Sequence, residues 1–298
     1  MSRIQVVEVS PRDGLQAESR TLPTATKLAL IDRLADAGHT VIEVTSFVNP
    51  KAVPQLADAE ELLRALKRRA GVRYPVLVPN ERGLDRALSA GANEIAVFAS
   101  ASESYSRKNL NRSRDEVLDG YRAVVRRAKD AKLRVRGYLS MVIADPWDGP
   151  TAPRVVIESA QRFLEMGCDE LSLGDTSGVG TPGEVRTLLR AFTSAGIAND
   201  KIAMHLHDTY GQALANALAA IELGITTFDA SVGGIGGFPF AKMAAGNLAT
   251  EDLVWMCNGL GIETGLDVAK LAQTSAWMSE QLGRELPGRV ARALSPFS

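Results

Sequence analysis

The sequence contains 298 residues with a formal net charge of −1; 45% of the residues are hydrophobic and 23% charged. A chain this close to neutral has no general electrostatic attraction for nucleic acid or anionic membranes, and no uncharged apolar run approaches the roughly 18 residues that cross a bilayer. Two cysteines without zinc-finger spacing and an N-terminus without a signal-peptide segment predict a cytoplasmic chain without a disulfide framework.

Short runs rich in β-branched residues alternate along the chain with Ala- and Leu-rich segments of helical period. The predicted strands are residues 5–10, 41–47, 74–78, 94–100, 134–140, 170–176, 202–208 and 227–233. The clearest predicted helices are residues 24–38, 181–196 and 211–224. Eight such strand–helix units in roughly 250 residues are typical of an α/β fold of the (β/α)8 TIM-barrel kind. We therefore predict one domain over residues 1–298 with an additional C-terminal helix; an open doubly wound sheet is the alternative.

The first two predicted strands carry charged residues near their carboxyl ends, where a barrel builds its active site. Arg12 and Asp13 follow the first strand, in a segment whose Pro and Asp-Gly steps are also typical of a turn. Glu43 lies within the second strand, where an unpaired carboxylate among apolar side chains is costly to bury. We interpret Glu43 as the partner that orients Arg12; a purely structural salt bridge within the barrel is the alternative.

The sixth predicted strand ends at Asp175, with Ser172 and Thr176 on either side. This position predicts a carboxylate at the catalytic rim, and a turn closed by its own side chains is the alternative. The glycines within residues 178–183 match the G-x-G-x-x-G pattern of dinucleotide sites. Those sites need the glycines directly after the strand in the first βα turn. Because other residues intervene and five strands precede this one, we do not predict a dinucleotide site.

The seventh predicted strand contains His205 and His207, which are two residues apart and therefore project to the same side. Two imidazoles on one face of a strand are typical of a metal site. With the carboxylate of Asp13 they predict a site for Mg²⁺ or Mn²⁺, with Zn²⁺ or Fe²⁺ as alternatives. The remaining histidine, His39, lies at a predicted helix end, and we interpret it as structural.

With these motifs the sequence resembles the 3-hydroxy-3-methylglutaryl-CoA lyases of the DRE-TIM metallolyase superfamily. The resemblance extends from VEVSPRDGLQAE through VIEVTSFVNPKAVPQ and HLHDTYGQALAN to GNLATEDLVWM. Arg12, Asp13 and Glu43 match the triad that names the superfamily. The resemblance implies a TIM barrel, an acyl-CoA substrate, a homodimer or larger homo-oligomer, and a role in leucine degradation.

The resemblance also implies roles for individual residues. It places the metal ligands at Asp13, His205, His207 and Asn247. The catalytic residues predicted on this basis are Arg12, Glu43, Asp175 and His205. The predicted substrate contacts are Arg12, Gln16, Ser46, Ser172 and Thr176.

The implied reaction cleaves a tertiary β-hydroxyacyl-CoA to a keto acid and acetyl-CoA. A divalent ion that binds the substrate hydroxyl lowers its pKa, and a base, either Asp175 or a nearby histidine, removes the proton. Retro-Claisen cleavage then leaves a thioester enolate, which Arg12 is expected to stabilise while Glu43 holds Arg12 in place. An acid must finally protonate the enolate carbon.

The sequence departs from the family pattern in the glycine-rich loop after the eighth strand. The family has a cysteine associated with protonation in a G-G-C-P pattern, whereas this chain has Gly236, Gly237, Phe238 and Pro239. We interpret the loop as a lid whose phenyl ring seals or shapes the pocket. The alternatives are a lyase for the usual or a related acyl-CoA, a catalytically impaired protein that binds metal and acyl-CoA, and a condensing synthase of the superfamily.

Two further sets of residues have a weaker functional signal. Arg107, Lys108 and Arg112 offer positive charges for CoA phosphates after the fourth strand, although a solvated loop explains them equally well. Cys168 and Cys257 lie in segments away from the glycine-rich loop, and we interpret both as structural.

Overall fold

Eight parallel strands form one sheet in the structure, a computed structural model that describes residues 3–237 and 246–294. The strands are β1 (Gln5–Glu8), β2 (Thr45–Ser46), β3 (Val76–Leu77), β4 (Glu94–Ser100), β5 (Arg134–Ser140), β6 (Glu170–Asp175), β7 (Ile202–Leu206) and β8 (Thr227–Ala230). From β2 to β8 each strand pairs with the next in chain order, and β8 pairs with β1. The backbone N–H of Glu8 donates to Val41 at 3.0 Å and that of Glu43 donates to Glu8 at 2.9 Å, which joins β1 to the segment before β2. The predicted barrel is thereby confirmed.

Helices cover the outside of this barrel. They are α1 (Thr24–Asp36), α2 (Ala59–Ala65), α3 (Glu81–Ser89), α4 (Glu103–Leu110), α5 (Arg114–Asp130), α6 (Pro153–Met166), α7 (Pro182–Ser194), α8 (Ala213–Glu222), α9 (Thr250–Gly259), α10 (Val268–Leu282) and α11 (Arg289–Leu294). The predicted additional helix is α10, which packs against α1, α9 and α11. Over residues 3–237 and 246–294, no helix combines the length and the apolar character needed to span a membrane.

The strands alternate between an apolar outer face and a polar inner face. In β5, Val135 and Leu139 belong to the core between sheet and helices, whereas Arg136 and Tyr138 occupy the alternate positions and face the barrel interior. All four side chains are buried. Because buried polar groups are costly without partners, the interior must consist of paired groups.

The segment after β1 is a π-helical turn, Ser10–Gly14. The backbone N–H groups of Arg12 and Gly14 both donate to the carbonyl of Val9, at 3.2 and 3.1 Å. Turns of this kind are wider than an α-helical turn and are frequent at functional sites. Here the turn carries the adjacent residues Arg12 and Asp13 at the carboxyl end of β1.

Two buried carboxyl groups hold the start of the glycine-rich loop. Oε1 of Glu8 accepts a hydrogen bond from the backbone of Val232 at 3.0 Å. The two oxygens of Glu251 accept from the backbone of Gly233 at 3.1 and 3.0 Å. Gly233 has a φ of +68°, and a Cβ there would lie 2.4 Å from Leu286. A residue with a side chain would therefore be strained in the turn that these carboxyl groups hold.

The Glu251 carboxyl predicts a measurable effect of pH on stability. Burial raises its pKa from 4.5 to about 8, so between these values the folded chain keeps a proton that the unfolded chain releases. The stabilising contribution is complete below the lower value and is lost as the pH rises towards the higher one. We expect Glu251→Gln, which stays neutral, to gain stability relative to wild type as the pH rises from about 5 to about 8. Calorimetric Tm values at both pH values would test this, and a constant difference in Tm would contradict it.

Candidate metal centre and active site

Asp13, His205 and His207, which we call the metal group, have donor atoms within 4.8 Å of one another. Asp13 lies in the π-helical turn, His205 in β7, and His207 just beyond the end of β7. Nε2 of His205 is 3.1 Å from Nε2 of His207 and 3.9 Å from Oδ2 of Asp13. The two imidazoles face one point, as their spacing along the strand predicts.

Asn247 reaches the metal group because its segment runs beside the end of β7. The backbone N–H of Leu248 donates to Leu206 at 2.8 Å, and Asn247 forms an antiparallel bridge with His207. Nδ2 of Asn247 donates to Oδ2 of Asp13 at 2.9 Å. Its Oδ1 is buried and accepts no hydrogen bond from the described residues. A buried amide oxygen without a partner is costly, and a bound cation would satisfy it.

These side chains fit a divalent cation by their chemistry. A carboxylate, an amide oxygen and two imidazoles form a hard, mainly neutral donor set without thiolate, which suits Mg²⁺ or Mn²⁺. Ligands of one ion at bond lengths of about 2.1 Å stand about 3 Å apart on adjacent positions. The 3.1 Å between the imidazole nitrogens matches this spacing. All four predicted ligands are thus brought together, while the identity of the metal stays a prediction.

Arg12 lies between two carboxylates. Its Nε and Nη2 are each 2.7 Å from Oε2 of Glu43, and its Nη1 is 2.6 Å from Oδ1 of Asp13. The guanidinium carbon lies 5.1 Å from the centroid of the Tyr138 ring, and only 5% of Arg12 is exposed. These contacts support the interpretation that Glu43 orients Arg12.

Burial and the neighbouring opposite charges shift the pKa values of Asp13, Glu43 and Arg12 in opposite directions. Burial alone would raise the pKa of the Asp13 carboxyl, but Arg12 and the two histidines of the metal group lower it well below its ordinary value. Burial is also the largest influence on Glu43 and raises the pKa of that carboxyl, although Arg12 opposes the change. The pKa of Arg12 is raised by Glu43 and Asp13 despite its burial. The Asp13 carboxyl is therefore ionised and lies beside a permanent positive charge.

A second buried arginine extends this network into the barrel. Arg136 lies 2.6 Å from Oε1 of Glu170 and 2.6 Å from Oδ1 of Asp229. Its Nη1 donates to the hydroxyl of Tyr138 at 3.0 Å, and that hydroxyl donates to Oε2 of Glu43 at 3.0 Å. The side chains that hold Arg12 are therefore themselves held by partners on other strands.

Arg136, Tyr138 and Asp229 are not among the site residues predicted from the sequence, although their positions within strands could have identified them. Each is a polar or charged residue inside a predicted strand, as Glu43 is. Asp229 connects the network to the metal group, because its Oδ2 lies 3.2 Å from Nδ1 of His205. The two-residue alternation along β5 and β8 places all three side chains on the inner face of the barrel.

Asp175 lies at the end of β6 as predicted, but its side chain is on the other face of the sheet from the metal group. In the pairing of β6 with β7, Gly174 lies beside His205 and Asp175 beside Leu206, and neighbours in register share a face. Oδ2 of Asp175 accepts a hydrogen bond from Gly180 at 2.9 Å. Burial raises the pKa of this carboxyl to about 6. The structure therefore agrees with the alternative interpretation, in which the Asp175 side chain closes a turn.

The other predicted substrate contacts lie in different environments. The hydroxyls of Ser46 and Thr176 are buried and have no hydrogen-bond partner among the described residues. Ser172 is fully buried and donates to Oδ2 of Asp229 at 2.7 Å, so its hydroxyl is already used within the protein. Gln16 is exposed just after the π-helical turn. Contact with a substrate stays a prediction for each of these side chains.

The described start of the glycine-rich loop is fitted closely to Asn247. A Cβ on Gly236 would stand 2.5 Å from Nδ2 of Asn247, and the φ of +144° is one that L side chains rarely adopt. The same Nδ2 donates to the carbonyl of Ile235 at 3.1 Å. Phe238 lies outside the described residues, so the lid interpretation stays a prediction.

The residues interpreted as structural have buried positions consistent with that role. Nε2 of His39 lies 3.3 Å from Oε2 of Glu8 inside the protein. Cys168 and Cys257 are free, buried thiols. Burial raises the pKa of Cys168 to about 12 and that of Cys257 to about 11, which makes both thiols unreactive near neutral pH.

Comparison with known proteins identifies relatives over nearly the whole chain. The family model described as HMGL-like matches residues 3–278. The mitochondrial hydroxymethylglutaryl-CoA lyase of Arabidopsis thaliana is 49% identical over 98% of this chain, and the chain spans 62% of that protein's length.

Two solved structures have nearly the same barrel. The hydroxymethylglutaryl-CoA lyase of Pseudomonas aeruginosa has a TM-score of 0.96 at 45% identity, covering 98% of this chain and 97% of that one. An HMG-CoA lyase of Acinetobacter baumannii, in complex with coenzyme A and 3-methylmalate, has a TM-score of 0.93 at 36% identity, covering 99% and 98% of the two chains.

The buried pair of Arg12 and Glu43 predicts a large loss of stability when the carboxylate is neutralised. Glu43→Gln keeps the shape but leaves Arg12 with Asp13 as its remaining ion-pair partner among the described residues. Removing one partner of a buried pair costs about 3–5 kcal/mol, and we expect urea unfolding to show a loss near the lower value. The pair of Glu60 with Arg86 is about a quarter exposed, so Glu60→Gln should cost less than about 1 kcal/mol. Equal losses in the two variants would contradict the prediction.

Proposed function

The chain belongs to the HMGL-like family, and from that premise we propose that it is a divalent-metal-dependent carbon–carbon lyase. The proposed substrate is a 3-hydroxy-3-methylglutaryl-CoA-like tertiary hydroxyacyl-CoA, which is cleaved to a keto acid and acetyl-CoA. One observation carries the proposal: the buried guanidinium of Arg12 is held 2.6 Å from Asp13, a member of the metal group. A permanent positive charge therefore stands beside the place where substrate oxygens would bind.

The ion would be held by Asp13, His205, His207 and Asn247. When bound, it supplies Lewis acidity that lowers the pKa of the substrate hydroxyl and polarises a neighbouring carbonyl. The support for this assignment is the convergent donor set and the buried oxygen of Asn247 without a hydrogen bond from the described residues. We propose Mg²⁺ or Mn²⁺ because the set contains no thiolate.

Arg12 is proposed to stabilise the enolate that carbon–carbon cleavage leaves on the thioester. The charge of this enolate develops mainly on oxygen, so a fixed cation next to that oxygen lowers the barrier. Glu43 already holds the guanidinium, and the hydroxyl of Tyr138 in turn donates to Glu43. Little reorganisation is therefore needed when the charge develops. Glu43 and Tyr138 act as positioning residues for Arg12.

His205 and Asp175 are the two predicted bases. The question for each is whether an atom that can accept a proton is free at the metal group. Nδ1 of His205 faces Asp229, so Nε2 is the nitrogen directed at the metal group, and a nitrogen that holds an ion cannot accept a proton. Burial raises the pKa of the Asp175 carboxyl to about 6, but its side chain lies on the other face of the sheet from the metal group. Its carboxylate is also held by the backbone of Gly180, so we assign the role of base to neither side chain.

The substitution of Phe238 for the family's cysteine affects one step of the mechanism, the protonation of the enolate carbon. A phenyl ring at Phe238 cannot donate a proton, and Cys168 and Cys257 are buried in other segments. This observation favours a second candidate function, a catalytically impaired or altered-specificity homologue that binds metal and acyl-CoA. Both candidates use the same metal group, so turnover distinguishes them.

The acyl-CoA part of the proposal is supported by the coenzyme A complex of the A. baumannii relative. In this chain Arg107 pairs with Glu103 at 2.7 Å, and Lys108 lies 3.8 Å from the ring centroid of Trp147. Both positively charged side chains therefore already have a contact within the protein. That Arg107, Lys108 and Arg112 bind CoA phosphates stays a prediction. A homodimer or larger assembly and a cytoplasmic location also stay predictions.

Arg12→Gln should lower kcat by about 10²–10³-fold, the effect of removing one donor to a developing oxyanion. The measurement is acetyl-CoA release from 3-hydroxy-3-methylglutaryl-CoA, which EDTA should abolish and Mn²⁺ or Mg²⁺ should restore. Arg122→Gln is the control, because Arg122 is a half-exposed arginine paired with Asp119 on α5 and should keep wild-type activity. Failure of the metal-loaded wild type to cleave any of a panel of 3-hydroxy-3-alkylglutaryl-CoA substrates would sink the lyase proposal.

Phe238→Cys tests whether the phenyl ring limits turnover of the family substrate. We expect the variant to increase kcat on 3-hydroxy-3-methylglutaryl-CoA by up to about 10²-fold, because it restores a side chain that can donate a proton. Phe238→Ser is the matched control, since serine creates similar space with a much weaker acid. Equal gains in both variants would mean that space, and not proton transfer, limits the reaction. An unchanged kcat in Phe238→Cys would place the acid elsewhere.

A further inference from the structure

One buried carboxylate beside the metal group has no role in the proposed reaction. Asp229 lies in β8 directly beside His205 of β7. Oδ2 of Asp229 is 3.2 Å from Nδ1 of His205. The other ring nitrogen of the same histidine, Nε2, is the one that lies 3.1 Å from His207. Asp229 and His207 therefore contact the two different ring nitrogens of His205.

The Asp229 carboxylate is held in this position from two other strands. Its Oδ1 lies 2.6 Å from Nη2 of Arg136 in β5, and its Oδ2 accepts a hydrogen bond from Ser172 of β6 at 2.7 Å. Only 1% of Asp229 is exposed, so water does not compete for these contacts. The contact with His205 is therefore set by the barrel and not by a mobile side chain.

A carboxylate that faces a guanidinium offers only acceptor atoms, so the proton between Asp229 and His205 must be on Nδ1. With the proton on Nε2 instead, two acceptors would face each other across 3.2 Å, and Nε2 would have no lone pair for an ion. We propose that Asp229 is a positioning residue that holds His205 in its Nδ1–H form and directs the Nε2 lone pair at the metal group. The inference rests on the metal site of the proposed function and not on the reaction.

The protonated nitrogen of His205 can be determined in the unmodified protein. The chain has three histidines, so long-range ¹H–¹⁵N correlation spectra of the labelled, metal-free protein can be assigned with single His→Gln variants. We expect His205 in the Nδ1–H form. Observation of the Nε2–H form would overturn the inference without the need for any change at Asp229.

Asp229→Asn tests the consequence for metal binding. The amide keeps the size of the side chain, but its NH₂ group can donate to Nδ1 of His205 and thereby favours the Nε2–H form. We expect calorimetric titration of the metal-free variant to show Mn²⁺ binding weakened about 10–100-fold, the usual effect of losing a partner that orients a ligand. The spectrum of His205 should change to the Nε2–H form in parallel.

Glu170→Gln is the matched control for this variant. Glu170 is the other buried carboxylate on Arg136, at 2.6 Å, but it lies at the start of β6, whereas Asp229 lies beside His205. We expect it to bind Mn²⁺ as the wild type does. Wild-type affinity in Asp229→Asn, or an equal loss in both variants, would overturn the inference. Absence of Mn²⁺ binding in the wild type would instead refute the metal site of the proposed function. If Asp229→Asn does not fold, the wild-type spectrum of His205 decides the question.

Discussion

The burial of the Arg12 guanidinium is the constraint on which the rest of the site depends. A charge removed from water is tolerated only when partners balance it and satisfy its hydrogen bonds. Glu43 and Asp13 meet this requirement at 2.7 and 2.6 Å. Asp13 also belongs to the metal group. The position of Arg12 and the position of an ion in the metal group are therefore coupled through Asp13. The π-helical turn after β1 makes this possible, since it carries Arg12 and Asp13 as consecutive residues.

Buried charges are paired throughout the barrel interior. The fold therefore has a polar inner layer and an apolar outer layer. The outer faces of the strands pack against helices in an apolar core, which supplies the hydrophobic stabilisation of folding. The inner faces carry Arg136, Tyr138 and Asp229, which connect Glu43 to His205 through ion pairs and hydrogen bonds. Such pairs add little stability compared with apolar packing, but they hold each reactive group in one orientation.

The mouth of the barrel is completed by residues late in the chain. Glu251 holds the turn at Gly233, and Gly236 leaves no room for a side chain beside Asn247. A shift in the start of the glycine-rich loop would therefore be transmitted to Asn247, a predicted metal ligand. Phe238, where the chain departs from the family pattern, follows two residues after Gly236, so its effect on chemistry and its effect on the metal site have to be measured separately.

By itself the sequence determined the features that depend on neighbours along the chain. The alternation of strands and helices predicted the barrel, and the two-residue spacing of His205 and His207 predicted a shared face, because both follow from backbone geometry. The contact of Asn247 with the metal group, the pairing of Asp229 with His205 and the outward orientation of Asp175 were decided only by the tertiary structure. Each depends on which strands become neighbours and in which register they pair, and these are long-range properties that no local pattern contains.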